Sequence, residues 1–336
     1  MRAATLGGFG EPLTIVTIPR PKPARGQILI KLEASGVCHT DVHVWLGHAS
    51  ALKHPQPLIL GHEGVGTVVS VGEDVSDWRV GQRAGAAWLH NTCGTCDECI
   101  EGEESFCQHQ HAHGFSVNGT FAEYVVADAR YAARLPVGDS KLLAPLMCAG
   151  LTAYGAIARS KLLSGETCAI FGCGGLGLYA VQLAVRAGAK VIAIDSDSEK
   201  LTLAAKMGAQ TTLISNAQLE EQTFWDQQVR PHVCINFAPT DKTWNAMIAA
   251  IRPRGRIIAA AMVAKSVLLN QEWLTGSGVQ ITGTSVGTRK QMDELLAIHT
   301  ENPLLCEIQE IGLEKTSAAL KSLSEGKAKG RYCIVF

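Results

Sequence analysis

Four thiols crowd one short stretch of this chain, as Cys93-x-x-Cys96-x-x-Cys99 followed by Cys107. Gly94, Asp97, Glu98, Gly102 and Glu103 interleave them. Core packing requires no such spacing. A tetrahedral metal does, because four thiolates can close around one Zn²⁺ at about 2.3 Å each. The competing arrangement is two disulfides, which need an oxidising compartment. Met1-Arg2-Ala3-Ala4 runs straight into strand-like sequence, without the charged and apolar regions of a secretory signal. Zinc is therefore the expectation. With every ligand supplied by protein, the site is closed and its role structural.

A second run with chemical potential is Gly172-Cys173-Gly174-Gly175-Leu176-Gly177, between a strand-like and a helical segment. Gly172 permits a tight turn. Gly174 lets a pyrophosphate approach the backbone at a helix N-terminus, and Gly177 lets the helix pack close to the sheet. Alone the pattern is weak, since a ligand-free strand-helix turn can carry it. Asp195, ending the next strand, adds weight: a carboxylate there accepts from ribose hydroxyls and repels a 2′-phosphate. No arginine stands at Ser196 or Asp197, and Lys200 can reach the same ribose. NAD is expected rather than NADP.

These runs need elements to position them. The chain has 336 residues, 46% of them apolar, enough for two domains. Net charge is −1 with no basic block, which argues against a phosphate backbone as partner. The longest apolar runs, such as Ile257–Val263, are too short to span a membrane. A soluble, cytoplasmic protein is expected. Up to about Leu146, short β-rich runs (Gln27–Leu32, Gly64–Val71, Phe121–Val126) alternate with Pro and Gly. From about Leu151 strands and helices alternate. The spacing predicts strand Thr167–Phe171, helix Leu176–Ala187 capped by Gly188, strand Val191–Ile194, helix Ser198–Met207 and strand Thr211–Ile214. Helix Leu219–Val229, strand Val233–Phe237, helix Trp244–Ile251 and strands Arg256–Ala260 and Val279–Gly283 follow. That array implies an α/β fold with a parallel sheet covered on both faces. A helix over Lys290–His299 and short pieces to Tyr332–Phe336 complete the chain.

Beyond the four clustered thiols, two cysteines lie in unusual surroundings. Cys38 sits in Gly-Val-Cys-His-Thr-Asp-Val-His (36–43) and Cys148 in Pro-Leu-Met-Cys-Ala-Gly (145–150). Between them lies Gly61-His62-Glu63-Gly64. Two cysteines and a histidine with an open fourth position form a catalytic zinc arrangement. Spacing alone does not assemble residues so far apart. Taken in order with the thiol run, Cys-Ala-Gly-Leu-Thr at 148–152 and the glycine turn, these motifs resemble the zinc-dependent medium-chain alcohol dehydrogenases, in particular their bacterial and yeast-type tetrameric branch. The resemblance covers essentially the whole chain.

It implies a β-rich GroES-like catalytic domain over 1–148 plus 285–336, and a Rossmann NAD-binding domain over 149–284. It implies two Zn²⁺ per chain, a homotetramer and small primary or secondary alcohols, aldehydes or ketones as substrates. Cys38, His62 and Cys148 would hold the catalytic zinc, with Glu63 beside it as an exchangeable ligand. Asp41 would orient His62. Thr40 would take the alcohol proton and pass it through the nicotinamide ribose to His43. Gly172, Gly174, Gly175, Leu176, Gly177, Asp195 and Lys200 would hold the cofactor, with Arg331 on its pyrophosphate. Trp45, Trp88 and Val286 would line a compact pocket. The metal's share is large: zinc lowers the pKa of bound water by ~9 units, on the order of 12 kcal/mol.

Other residues have plainer explanations. His39 is a packing or cofactor-contact residue. His48, His54, His90, His109, His111 and His113 are expected at the surface. Cys168, Cys173, Cys234, Cys306 and Cys333 read as small buried hydrophobes, although oxidation of Cys173 would block the phosphate turn. Trp225, Trp244 and Trp273 belong to core or interface. A polyol dehydrogenase of the same fold is one rival, disfavoured by the aromatic pocket positions. A non-catalytic zinc scaffold or NAD sensor is another, disfavoured because Cys38, His62 and Cys148 are all present. A zinc-finger-like nucleic-acid binder rests on the thiol run only.

Overall fold

Strand Gln27–Gly36 organises the first half of the molecule. It pairs antiparallel with Gly64–Val71 on one edge. Along its other edge it meets Tyr124–Asp128 near its start and Arg331–Val335 near its end. Ile28, Leu29, Ile30 and Leu32 are buried, as are Ala34, Ser35 and Gly36, and only Lys31 is exposed, so most of the strand is covered on both faces. The structure, a computed structural model, describes residues 1–48, 57–263 and 265–336, so His54 lies outside the described residues. It divides into two units, Met1–Leu151 with Thr288–Phe336, and Thr152–Gly287.

In the first unit the large sheet runs in the order Ala133–Arg134, Arg83–Ala86, Gly64–Val71, Gln27–Gly36, Arg331–Val335, Ile308–Ile311, with Tyr124–Asp128 paired beside Gln27–Gly36. Only its last pair is parallel. A three-stranded sheet of Thr14–Thr17, Arg2–Leu6 and Leu58–Ile59 lies in the same unit. Ile28, Ile30, Leu32, Val68 and Trp78 pack one core, and Leu6, Leu60, Phe121 and Ile334 another.

The second unit has a six-stranded parallel sheet in the order Thr211–Ile214, Lys190–Asp195, Thr167–Phe171, Val233–Asn236, Arg256–Ala259, Gln280–Gly283. Counted along the chain this is 3-2-1-4-5-6, the doubly wound order, whose crevice lies at the carboxyl ends of the strands. All five residues of Thr167–Phe171 are buried, as expected of a strand covered on both faces. Helix Gly177–Arg186 ends at Gly188, whose φ of +80° suits a glycine cap.

The expected helix over Leu219–Val229 is instead a 3₁₀ turn at Ala217–Glu220 and a short helix at Gln222–Asp226. Asn216 caps the first piece through Gln218 N–H, and extended Glu221 breaks the run. Helices Ala149–Ser160, Gln271–Ser277 and Thr316–Ser324 also form. Among the described residues no single helix is long and apolar enough to cross a membrane.

Candidate active site

Adjacent strand ends deliver the scattered motifs to one place. Ser35 pairs with Gly64 and Gly36 with Cys333. Gly36 N–H donates to the Glu63 carbonyl at 3.0 Å. Cys38 thus follows its strand directly to His62 and Glu63, and Arg331 arrives on the next strand. Gly36 is required here, because a Cβ would overlap the Glu63 carboxylate.

Helix His39–Trp45 starts at once. Its third residue, Asp41, reaches back to accept from Cys38 N–H at 2.8 Å, as an N3 side chain does in a capping box. The same carboxylate accepts from Gly61 N–H at 3.2 Å and lies 3.0 Å from His62 Nδ1. Asp41 accepts only, so Nδ1 carries the proton and Nε2 presents its lone pair. That Nε2 is buried and has no hydrogen-bond partner.

The ligand atoms of Cys38, His62, Glu63 and Cys148 all lie within 4.8 Å of one another, and all four residues are buried. The Sγ atoms of Cys38 and Cys148 are 3.9 Å apart. Two thiolates on one tetrahedral zinc would be about 3.8 Å apart. A hydrogen bond from Cys148 holds the Cys38 thiol well below its ordinary range, while that bond and burial push Cys148 up. The pair shares a proton that a cation would displace. An orphaned imidazole nitrogen beside two thiols fits zinc.

Glu63 is wholly buried and pairs with Arg331, 5% exposed. Its other oxygen accepts from Ala149 N–H at 3.2 Å. Burial pushes its carboxyl up to about 7, against the pull of Arg331. Arg331, which the resemblance implies on a pyrophosphate, donates to Glu63 through one guanidinium nitrogen. Thr40 Oγ1 stands 3.8 Å from Cys38 Sγ. His43 lies one helical turn beyond Thr40, half-buried, its ring 5.1 Å from His39 and 6.0 Å from His48. Burial, then His39 and His48, lower its pKa.

Trp88 stands edge-on to His62, ring centroids 5.1 Å apart and planes at 88°. The Trp45 indole N–H donates to the Glu11 carbonyl at 2.6 Å, and its half-buried ring packs on the Leu6–Phe121 core. Val286, in the second unit, has φ +48°, uncommon for a β-branched side chain.

The four clustered thiols also converge within 4.8 Å. Cys93 Sγ is 4.0 Å from Cys99 and 3.6 Å from Cys107. Backbone N–H groups of Thr95 and Cys96 point at Cys93 Sγ and lower its thiol to about 6. These are thiolate-stabilising contacts, and four sulfurs with no open side fit a closed zinc site.

In the second unit Gly172 has φ +90°, and a Cβ there would sit 2.7 Å from Ala238 N. A Cβ on Gly177 would overlap the Gly172 carbonyl, whereas one on Gly174 meets nothing within 4 Å. The turn is closed on the sheet side and open at Gly174, where a pyrophosphate would approach, with Gly175 and Leu176 half-exposed beside it. Asp195 is 9% exposed and accepts from Cys173 N–H at 2.7 Å and Asp197 N–H at 3.0 Å, with Lys200 Nζ 4.0 Å away. It ties the turn to the second strand. Cys173 is buried, and burial followed by the Asp195 charge pushes its thiol up to about 12, which disfavours the reactive thiolate.

Several plain expectations need correction. His90 and His113 are 6% and 1% exposed, not surface residues. An apolar run, Ala86-Ala87-Trp88-Leu89, leads into His90 and was the available signal. His48, His109 and His111 are exposed. Cys306 is only half-buried.

Residues 24–137 match the alcohol dehydrogenase GroES-like domain, and residues 175–301 the zinc-binding dehydrogenase family. An alcohol dehydrogenase of Geobacillus stearothermophilus is 36% identical over 335 residues, covering 99% of this chain and 98% of that one. One from Moraxella sp. (strain TAE123) is 35% identical over 335 residues, covering 99% of each. The crystal structure of the alcohol dehydrogenase from Aeropyrum pernix superposes with a TM-score of 0.91 at 29% identity, covering 100% of both chains. The acetophenone reductase of Geotrichum candidum, solved with NAD, gives 0.89 at 26% identity, covering 100% of this chain and 97% of that one.

Proposed function

The chain belongs to the zinc-binding medium-chain alcohol dehydrogenases, and from that premise we propose that it interconverts small primary or secondary alcohols with aldehydes or ketones, using NAD. One observation carries the reading: Cys38, His62, Glu63 and Cys148 converge in a buried pocket of donors, with His62 Nε2 left unpaired.

Cys38, His62 and Cys148 would hold a zinc ion. When bound, such an ion acts as a Lewis acid that lowers the pKa of an alcohol or polarises a carbonyl. Asp41 fixes the tautomer of His62. Glu63 stays within reach of the donor set, its charge matched by Arg331. Thr40 receives the hydroxyl proton and His43 holds it next, since an imidazole titrates where a threonine cannot. Trp88 walls the pocket. Gly172, Gly174, Gly175, Leu176 and Gly177 cradle the pyrophosphate of NAD, with Asp195 and Lys200 at the ribose. The thiol loop would bind a second zinc that performs no chemistry.

NADH absorbance with ethanol, benzyl alcohol and cyclohexanol tests the reaction. No turnover with any of them, in protein carrying two zinc ions per chain, overturns it. Assembly as a homotetramer in the cytoplasm belongs to the same reading, supported by the resemblance to tetrameric relatives. Light scattering of the zinc-loaded protein tests the assembly.

A further inference from the structure

Glu104 lies inside the thiol loop, between Cys99 and Cys107, and takes no part in the chemistry above. It is 4% exposed. A buried carboxylate needs donors, and they come from 185 residues further along the chain. The Arg289 backbone N–H and Nε both donate to Glu104 Oε1, at 2.9 and 3.2 Å. Arg289 opens helix Arg289–Glu301, which Thr288 and Gln291 cap with a reciprocal pair of bonds. The first N–H groups of a helix have no partner within it, and that end carries partial positive charge. Glu104 satisfies one of these groups from outside and matches the charge.

The arginine is held from a second side. Its Cζ lies over the Tyr131 ring, 4.5 Å from the centroid. Tyr131 Oη is 2.6 Å from Thr92 Oγ1, which is 3.2 Å from Cys99 Sγ. A zinc-bound Cys99 sulfur is a thiolate and accepts only. Thr92 then donates to it, and Tyr131 donates to Thr92. Two arms therefore run from the loop to Arg289, one through Glu104 and one through Cys99, Thr92 and Tyr131. Further along the same helix Leu295 is wholly buried, and a Cβ added to Gly150 would meet it at 3.4 Å. Gly150 is two residues past Cys148. All these residues belong to the first unit.

We propose that Glu104 and Arg289 form a positioning pair through which the thiol loop seats helix Arg289–Glu301 and braces the segment that carries Cys148. The proposal rests on the reading of the loop as a zinc site. Zinc in the loop and the first turn of the helix then stabilise each other, and by linkage the effect is equal in both directions. Removing the arginine leaves Glu104 a buried carboxylate without its cation, which costs more than the intact pair contributes. An ion pair exposed at both ends would contribute little; here the Arg289 side chain is half-exposed but its partner is buried. The loop can take zinc before Arg289 arrives, and holds it more tightly afterwards.

The test reads zinc retention and amide exchange rather than turnover. Loop zinc is followed in the Cys148→Ser protein, which keeps that ion alone, by its transfer to a chelator. Adding Arg289→Gln should speed the transfer about tenfold. In the zinc- and NAD-loaded enzyme, Arg289→Gln should quicken amide exchange about fivefold across residues 289–295 and about threefold across 146–151. Once Glu104→Gln has removed the buried charge, adding Arg289→Gln should change each rate less than about twofold. Unchanged zinc transfer, unchanged exchange in either segment, or effects that multiply in full in the double variant overturn the proposal. If the Cys148→Ser protein holds no zinc, the reading of the loop has failed, and exchange alone decides the pair. If Arg289→Gln does not fold, Arg289→Lys, which loses Nε and the flat stack on Tyr131, is read the same way.

Discussion

The two candidate metal sets are built by opposite means. The thiol loop takes every donor from Cys93 to Cys107, with Cys107 buried and Cys93 exposed. The other set draws Cys38, His62, Glu63 and Cys148 from separate segments, all of them buried. Backbone N–H groups within the loop already favour a thiolate. The buried set needs Asp41 to orient His62 and Arg331 to match Glu63. A closed local site can form with little help from the fold. An open site has to be held in shape by the whole unit around it, because its missing ligand contributes nothing to rigidity.

The largest effect should come from breaking the buried set. Cys148→Ser should keep the loop zinc, lose the other, and lower kcat/KM by on the order of a thousandfold or more. Metal analysis finding about two zinc ions per mutant chain would contradict the division of labour. Asp41→Asn should weaken metal retention or turnover about 10- to 100-fold, because the orienting carboxylate is gone. Titration with a chelator measures that loss, and a wild-type curve would remove Asp41 from its role.

A smaller change is expected at His43. Its pKa is lowered by burial and by His39 and His48, which favours the neutral, proton-accepting ring over the charged one. His43→Ala should slow alcohol oxidation about tenfold near pH 6–7, with the deficit closing in alkali as solvent takes the proton. Superimposable pH-rate profiles would exclude His43 from proton transfer. The smallest effect on chemistry should follow Cys93→Ser in the loop. Turnover per folded molecule should stay within about twofold, while the melting temperature falls by several degrees. A loss of kcat as deep as that of Cys148→Ser would erase the contrast between the sets.

What was legible in the sequence follows the same divide. The thiol run and the glycine turn could be read because their partners are near in sequence. The central strands of the second unit, such as Thr167–Phe171 and Val233–Asn236, were legible because buried parallel strands are nearly continuous apolar runs. Cys38, His62 and Cys148 could not be joined by spacing; they came from resemblance, and Asp41 gained its three contacts only once strand register was known. His90 and His113 were misread because a histidine's type says nothing of its burial. The His109-x-His111-x-His113 alternation looked like an exposed edge, yet only its first two members are exposed. Helix Leu219–Val229 failed because Glu221 sits extended in the middle of an otherwise helical composition.

The strand Arg331–Val335 has a consequence for synthesis on the ribosome. The second unit, Thr152–Gly287, is one uninterrupted stretch of chain and can fold as soon as it emerges. The first unit cannot finish then, because Arg331–Val335 must still be translated before it pairs with Gln27–Gly36. Until it arrives, Glu63 lacks the arginine that balances its buried charge. Zinc offered to both candidate sites should therefore load in sequence, the thiol loop during translation and the buried set only after Arg331 has left the exit tunnel.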